Sequence, residues 1–239
     1  MASPDEGRLQ PRRAWQALRI LLKDKEDTEQ VFVIIRSLTG KSLLRGFNRF
    51  TATRNGTAIL AERRRLIEKL SDREALRALP PASLGRAYLA FMERENLSAA
   101  GLVDASLAAE GETGAITPEH DARTLYAERL RDAHDLWHVV SGYGRDGLGE
   151  LCLLGFTFAQ TLNPGIGLIC LAGANQYARL LGFDVVRALL FGYRSGRTAA
   201  WLPAADWEGL LGMPLDAVRA ELKIRTPRIY PELLQSLPA

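Results

Sequence analysis

Residues 151–178 read LCLLGFTFAQTLNPGIGLICLAGANQYA, 28 positions without a charged side chain. A membrane-spanning helix needs about 20 predominantly apolar residues. This run holds Gln160, Asn163, Asn175 and Gln176, and Asn163-Pro164-Gly165 lies near its middle. That tripeptide breaks the run into two helices of about a dozen residues each, because proline lacks the amide donor and glycine resists the helix. Each half is too short to cross a bilayer. The stretch therefore reads as a helical hairpin buried in a core. The functional alternative is a hairpin that lines a cavity for a long apolar ligand or dips into a membrane surface.

The flanking sequence is helical as well. Asp27-Thr28-Glu29-Gln30 offers cap oxygens just before VFVIIRSL. Residues 57–70, TAILAERRRLIEKL, carry a helical apolar stripe. Pro80-Pro81 marks a break, and Ser83 then opens a helix with Leu84, Ala87, Tyr88 and Phe91 on one face. Alternating strand-like runs are scarce and no repeat has a fixed period. The expected fold is all-α: one multi-helix bundle over residues 13–239, with residues 1–12 as a loose segment and 111–119 as a surface loop.

Composition narrows the class. Of 239 residues, 47% are hydrophobic, 25% charged and 8% aromatic, which excludes collagen-like, low-complexity and disulfide-scaffold chains. A net charge of +3 gives no reason to expect a nucleic-acid partner. The charge is uneven, however. Residues 1–75 hold 16 Lys/Arg against 10 Asp/Glu, and residues 93–150 hold 5 against 12. A basic first third suits an anionic lipid surface or an acidic protein patch, although it equally describes solvated helix faces. Cys152 and Cys170 lie in apolar sequence and read as buried free thiols in a reducing compartment. MASPDEGRLQPRR has no apolar core of a secretory signal, and its acids fit a transit peptide poorly.

The chemistry concentrates in RDAHDLWHVVSGYGRDGLGE, residues 131–150, which holds two of the three histidines. A helix is expected over about 123–141. At about 100° per residue, His138 lies about 40° and Asp135 about 100° round from His134. Imidazoles four apart can reach one ion from consecutive turns. Asp135 either ligates directly or orients an imidazole from behind. Gly142, Gly144, Gly147 and Gly149 let the chain turn and bring Glu150 back to the same ion. Two His with one or two carboxylates suit Zn²⁺, Co²⁺ or Fe²⁺. Structural histidines are the competing reading. A phosphohydrolase would need further His and Asp ligands, and only His120, read as a surface residue, remains. Arg131, on the same helix, is a candidate partner for Asp135 or for a substrate carboxylate or phosphate.

His134-Asp135-Leu136-Trp137-His138, then eleven residues, then Glu150 resembles the H-D-x-x-H-x₁₁-E signature of the coenzyme Q biosynthesis protein four family, which acts in ubiquinone biosynthesis. SLGRAYLAFM (83–92) and FGYRSGRTAAWLPAADWEGLLGMPLDAVRAELKI (191–224) resemble other blocks of that family, and the resemblance runs over about 27–228. It implies an all-helical fold and metal ligands His134, Asp135, His138 and Glu150. The implied activity is removal of the C1 carboxyl of a polyprenylated hydroxybenzoate-type precursor, with oxidation there to a hydroxyl. The protein would be a metal-dependent decarboxylase, a lyase, with Zn²⁺ the first choice. The alternative it implies is a non-catalytic lipid-binding scaffold for the other ubiquinone biosynthesis proteins. A homodimer at a membrane surface is expected. Without a targeting segment, a bacterial cytoplasmic protein peripheral to the inner membrane fits. A prenyl tail would run along the charge-free hairpin, with Leu154, Phe158, Leu162, Ile169 and Leu171 as apolar wall.

Overall fold

The computed structural model describes residues 8–24, 27–98 and 122–236. His120 and the 111–119 loop lie outside them. The described residues form fifteen α-helices and no strand, so the expected all-α fold is found. Ser83 and Pro214 form one isolated bridge.

The first half is a string of short helices: α1 (Pro11–Leu21), α2 (Thr28–Ser37), α3 (Ser42–Thr51), α4 (Arg54–Ala61), α5 (Leu66–Ser71), α6 (Arg73–Ala78) and α7 (Leu84–Arg94). Asp27 caps α2 by accepting the Gln30 amide at 3.2 Å, and Ser83 caps α7 by accepting that of Arg86 at 3.2 Å. The continuous helix expected over 57–70 is two helices, α4 and α5. Arg63 between them takes a φ of 51°, which ends the helix although the surrounding residues favour one. The first helix opens on Pro11, whose fixed φ suits a first turn.

The second half carries α8 (Ala122–Asp132), α9 (His134–Ser141), α10 (Gly147–Thr161), α11 (Pro164–Leu181), α12 (Asp184–Thr198), a short 3₁₀ turn, α13 (Trp207–Leu210), α14 (Leu215–Glu221) and α15 (Ile229–Gln235). The charge-free stretch breaks at the expected place. Asn163 Oδ1 accepts the amides of Gly165 (2.8 Å) and Ile166 (3.4 Å), and Pro164 opens α11. Among the described residues no helix is long and apolar enough to cross a membrane.

α10 lies at the centre, packed chiefly on α12 and α11. Its Leu148, Cys152, Leu153 and Phe156 are fully buried, together with Leu136 and Val140 of α9, Tyr88 of α7 and Trp207 of α13. A second cluster joins Ala17, Leu18 and Leu21 of α1 to Ile34 of α2 and Ile169 of α11. One consequence matters for function. The helix with the two histidines and the helix with Glu150 are both anchored in one dense core, where side chains are held in single rotamers.

The hairpin is only half buried. Leu154 and Ile169 pack into the α1–α2 cluster, and Phe158 rests near Tyr193 with ring centroids 6.1 Å apart. Leu162 and Leu171 are 47% and 73% exposed. These two face solvent and do not join an enclosed wall with the others.

Candidate metal centre

The centre sits where two helix ends meet across a short loop. The helix expected over 123–141 is divided at Ala133, whose ψ of −8° bends the chain just before His134. Backbone bonds continue through the bend: Ala133 donates to Arg129 and Trp137 donates to Ala133, both at 3.0 Å. α9 stops at Gly142, whose φ of 81° is costly for any residue with a Cβ. Asp146 then caps α10, its Oδ1 accepting the Gly149 amide at 2.9 Å. Glu150 falls in the first turn of α10, facing the histidines.

The three side chains come together. His138 Nε2 lies 3.4 Å from Glu150 Oε1, and His134 Nε2 lies 3.9 Å from Glu150 Oε2. One ligand atom from each of His134, His138 and Glu150 lies within 4.8 Å of the others. His138 is completely buried, while His134 and Glu150 keep about a third of their side-chain surface open. The Phe91 ring stacks on His138 at 5.5 Å and fixes its plane.

Proton placement decides what this cluster can bind. His138 Nδ1 is 3.1 Å from the Tyr143 carbonyl, which can only accept, so Nδ1 carries the proton and Nε2 presents a lone pair. That buried Nε2 has no hydrogen-bond partner. His134 Nδ1 faces Asp135 Oδ1 at 3.3 Å in the same way, leaving its Nε2 lone pair toward Glu150. Three acceptors therefore converge on one point with no donor between them. A divalent cation satisfies such a set, and the imidazoles are already oriented from behind. Asp135 sits behind His134 and outside the three-residue group, in the orienting role that the spacing left open.

The electrostatics call for positive charge between these groups, which an ion supplies in place of the His134 Nε2 proton. Burial raises the pKa of Glu150, but His138 and His134 outweigh it, and the net shift is downward. Asp135 is likewise lowered, burial being outweighed by His134 and then His138. Both carboxylates are thus held ionised. For His134, burial opposes the charged form, yet Asp135 and Glu150 prevail and its pKa rises.

Arg131 is placed differently from the expectation. Its Nε and Nη2 bond Asp132 Oδ1 at 3.0 and 2.9 Å, and it makes no pair with Asp135. The bend at Ala133 ends α8 there, and the adjacent carboxylate takes the guanidinium. The open cation is Arg145, in the glycine-rich loop, with Nε 3.8 Å from Glu150 Oε1 and 36% of its side chain exposed. Sequence reasoning missed Arg145. It also missed Arg219, whose guanidinium donates to the Val140 and Val139 carbonyls at 3.0 and 3.1 Å and so caps the helix holding the histidines. An arginine near the candidate ligands was visible at 145; the partner 79 residues beyond Val140 had no local signal.

Residues 21–228 match the family described as coenzyme Q (ubiquinone) biosynthesis protein Coq4. The mitochondrial ubiquinone biosynthesis protein coq4 of Aspergillus flavus is 31% identical over 172 residues, covering 72% of this chain and 57% of that protein. Its counterpart in Botryotinia fuckeliana is 28% identical over 175 residues, covering 72% and 58%. The match thus spans little more than half the length of these relatives. A crystal structure of a Nostoc punctiforme protein assigned to ubiquinone biosynthesis superposes with a TM-score of 0.61 at 20% identity, covering 90% of this chain and 98% of that one. At that identity the likeness shows the fold alone. The fungal relatives are mitochondrial, which overturns the expectation of a bacterial cytoplasmic location beside the inner membrane. Leader segments lie outside the folded domain and leave no mark on its core or site, so the domain's sequence carries no record of compartment. By the extent of the match, this chain belongs to the coenzyme Q (ubiquinone) biosynthesis protein Coq4 family.

Proposed function

We propose that this protein is a metal-dependent enzyme of ubiquinone biosynthesis that removes the C1 carboxyl of a polyprenylated hydroxybenzoate-type precursor, with oxidation of C1 to a hydroxyl. The observation that carries the reading is the meeting of the His134 and His138 lone pairs with the Glu150 carboxylate. These three residues would hold the ion, and Asp135 would orient His134. When bound, a divalent ion (Zn²⁺ first, Co²⁺ or Fe²⁺ as alternatives) supplies a Lewis acid that draws negative charge from the ring as the carboxyl departs.

The chain's own residues do the rest. His138, buried and clamped between Phe91 and the Tyr143 carbonyl, cannot turn away and keeps one face of the site dry. The exposed Arg145 guanidinium beside Glu150 offers a bidentate seat for a ring carboxylate. Arg131 is already neutralised by Asp132, so the substrate role falls to Arg145. The C1–carboxylate bond breaks with its electron pair left on the ring. Replacing carboxyl by hydroxyl is a two-electron oxidation: overall the aromatic acid, water and O₂ give the phenol, CO₂ and H₂O₂, with water supplying the hydroxyl oxygen and O₂ taking up the two electrons and two protons.

The test is turnover of a prenylated hydroxybenzoate by metal-loaded protein under air, with product mass as readout. His134→Ala and Glu150→Ala should abolish product while keeping the helical circular dichroism. Full activity in either variant refutes the proposal.

A second reading has its own observation. Leu171, Leu180 and Phe183 leave bare apolar side chains on α11 and just beyond it, 73%, 65% and 72% exposed, and exposure of this kind is what a lipid-facing surface needs. It supports a scaffold that seats polyprenyl lipid or a membrane surface and presents it to other ubiquinone biosynthesis proteins, or pairs as a homodimer. Lipid binding that survives metal removal, without turnover, favours this reading over catalysis.

A further inference from the structure

We propose that the C-terminal helix α15 is a positioning element for the metal centre, acting through the Tyr230 hydroxyl. This rests on the reading of His134, His138 and Glu150 as ligands. Tyr230 follows the family-matched segment, which ends at residue 228.

The contacts are specific. The Tyr230 hydroxyl hydrogen-bonds Asp146 Oδ2 and accepts the Gly144 amide at 3.0 Å. The other Asp146 oxygen accepts the Gly149 amide at 2.9 Å, and the Asp146 backbone carbonyl accepts the Glu150 amide, also at 2.9 Å. One hydroxyl therefore fixes the rotamer of the residue on which Glu150 hangs. A Cβ at Gly144 would lie 2.6 Å from that hydroxyl, so the reach of Tyr230 requires the missing side chain there. The Tyr230 ring also meets the Tyr143 ring edge-on, with centroids 5.4 Å apart, and the Tyr143 carbonyl is what holds the His138 proton. The same side chain thus touches the support of Glu150 and the support of His138. Burial, and then Asp146, push the phenol pKa up, so Tyr230 stays the donor and Asp146 the acceptor.

The loop 142–146 sets the gap between the two helices that carry the proposed ligands. Partners behind metal ligands are commonly worth about tenfold or more in metal affinity. Tyr230→Phe keeps the ring packing and deletes only the hydroxyl. In this variant the Gly144, Gly149 and Glu150 amides should exchange with deuterium about tenfold faster without metal, while core amides of α12 are unchanged. Its Co²⁺ affinity, read from the visible absorption of the ion, should fall about tenfold. Asp146→Asn retains a capping oxygen and should show a similar loss. The double variant should be no weaker than the worse single one, because both remove one connection.

Wild-type exchange rates in Tyr230→Phe overturn the brace, and additive losses in the double variant overturn the shared connection. Wild-type Co²⁺ uptake with an unshifted Tyr230→Phe affinity overturns the positioning role alone. A wild-type protein that takes up no Co²⁺ overturns the ligand reading itself.

Discussion

Glu208→Leu is a sharp test of how the ligand helix is anchored. Arg129, in the helix leading to the bend before His134, is 2% exposed, and its guanidinium forks onto both Glu208 oxygens at 2.7 Å. A third bond goes to the Ala205 carbonyl at 3.0 Å. Removing the carboxylate leaves a buried cation with one neutral acceptor, a loss of about 3–5 kcal/mol for a broken buried pair. An unfolding entropy of about 2.1 cal/mol/K per residue over 239 residues is about 0.5 kcal/mol/K. The melting temperature should therefore fall by about 6–10 °C, measured by thermal circular dichroism at pH 7. The pH dependence gives a second check. Burial raises the Glu208 pKa, but Arg129 outweighs it and the net shift is downward. A depressed carboxylate stabilises above its unfolded pKa of about 4.3, and that stability is lost as pH falls through the folded pKa. The gap between wild type and Glu208→Leu should thus be widest at neutral pH and shrink in acid. Arg129→Met/Glu208→Leu should recover most of the loss, since no charge is stranded. A single variant melting within about 1 °C of wild type, or a gap that widens in acid, refutes the reasoning.

Three other outcomes follow from the same structure. Arg219→Met strips two carbonyls at the end of α9 of their charged donor, at a cost of about 2 kcal/mol and a fall of about 4 °C in melting temperature. Burial pushes the Cys152 and Cys170 thiols up to about 12; both should resist a thiol reagent at pH 8 in the folded protein and react fully in denaturant. Phe156→Ala, at a fully buried position, should cost about 3–5 kcal/mol, whereas Leu171→Ala, at 73% exposure, should stay within about 0.5 kcal/mol; chemical denaturation distinguishes them.

The meeting of His134, His138 and Glu150 was legible because its signals are local. Two histidines four apart share a helix face, and a short glycine-rich loop cannot carry Glu150 far from them. The hairpin break was legible because Asn163 and Pro164 are physical terminators. The divisions at Arg63 and Ala133 were hidden, since good helix formers run through both and tertiary packing decides where the axis turns. Glycine counting also misread the loop: of its four glycines, Gly142 takes the positive φ, while Gly144 is needed for the close approach of Tyr230 and Gly149 for that of the Gly144 carbonyl. Arg131 was misassigned because a helical wheel ranks Asp135 without seeing that Asp132 is nearer. Tyr230, Arg219 and Glu208 reach the site or its supports from across the chain, where no spacing rule applies.

Metal content measured on purified wild type and His138→Ala, side by side, tests the central claim most directly. The convergence of two imidazole lone pairs and one carboxylate predicts about one divalent ion per wild-type chain, lost in the variant while its helical content is kept. No ion in either protein after reconstitution with Zn²⁺, Co²⁺ and Fe²⁺, or equal content in both, would contradict it.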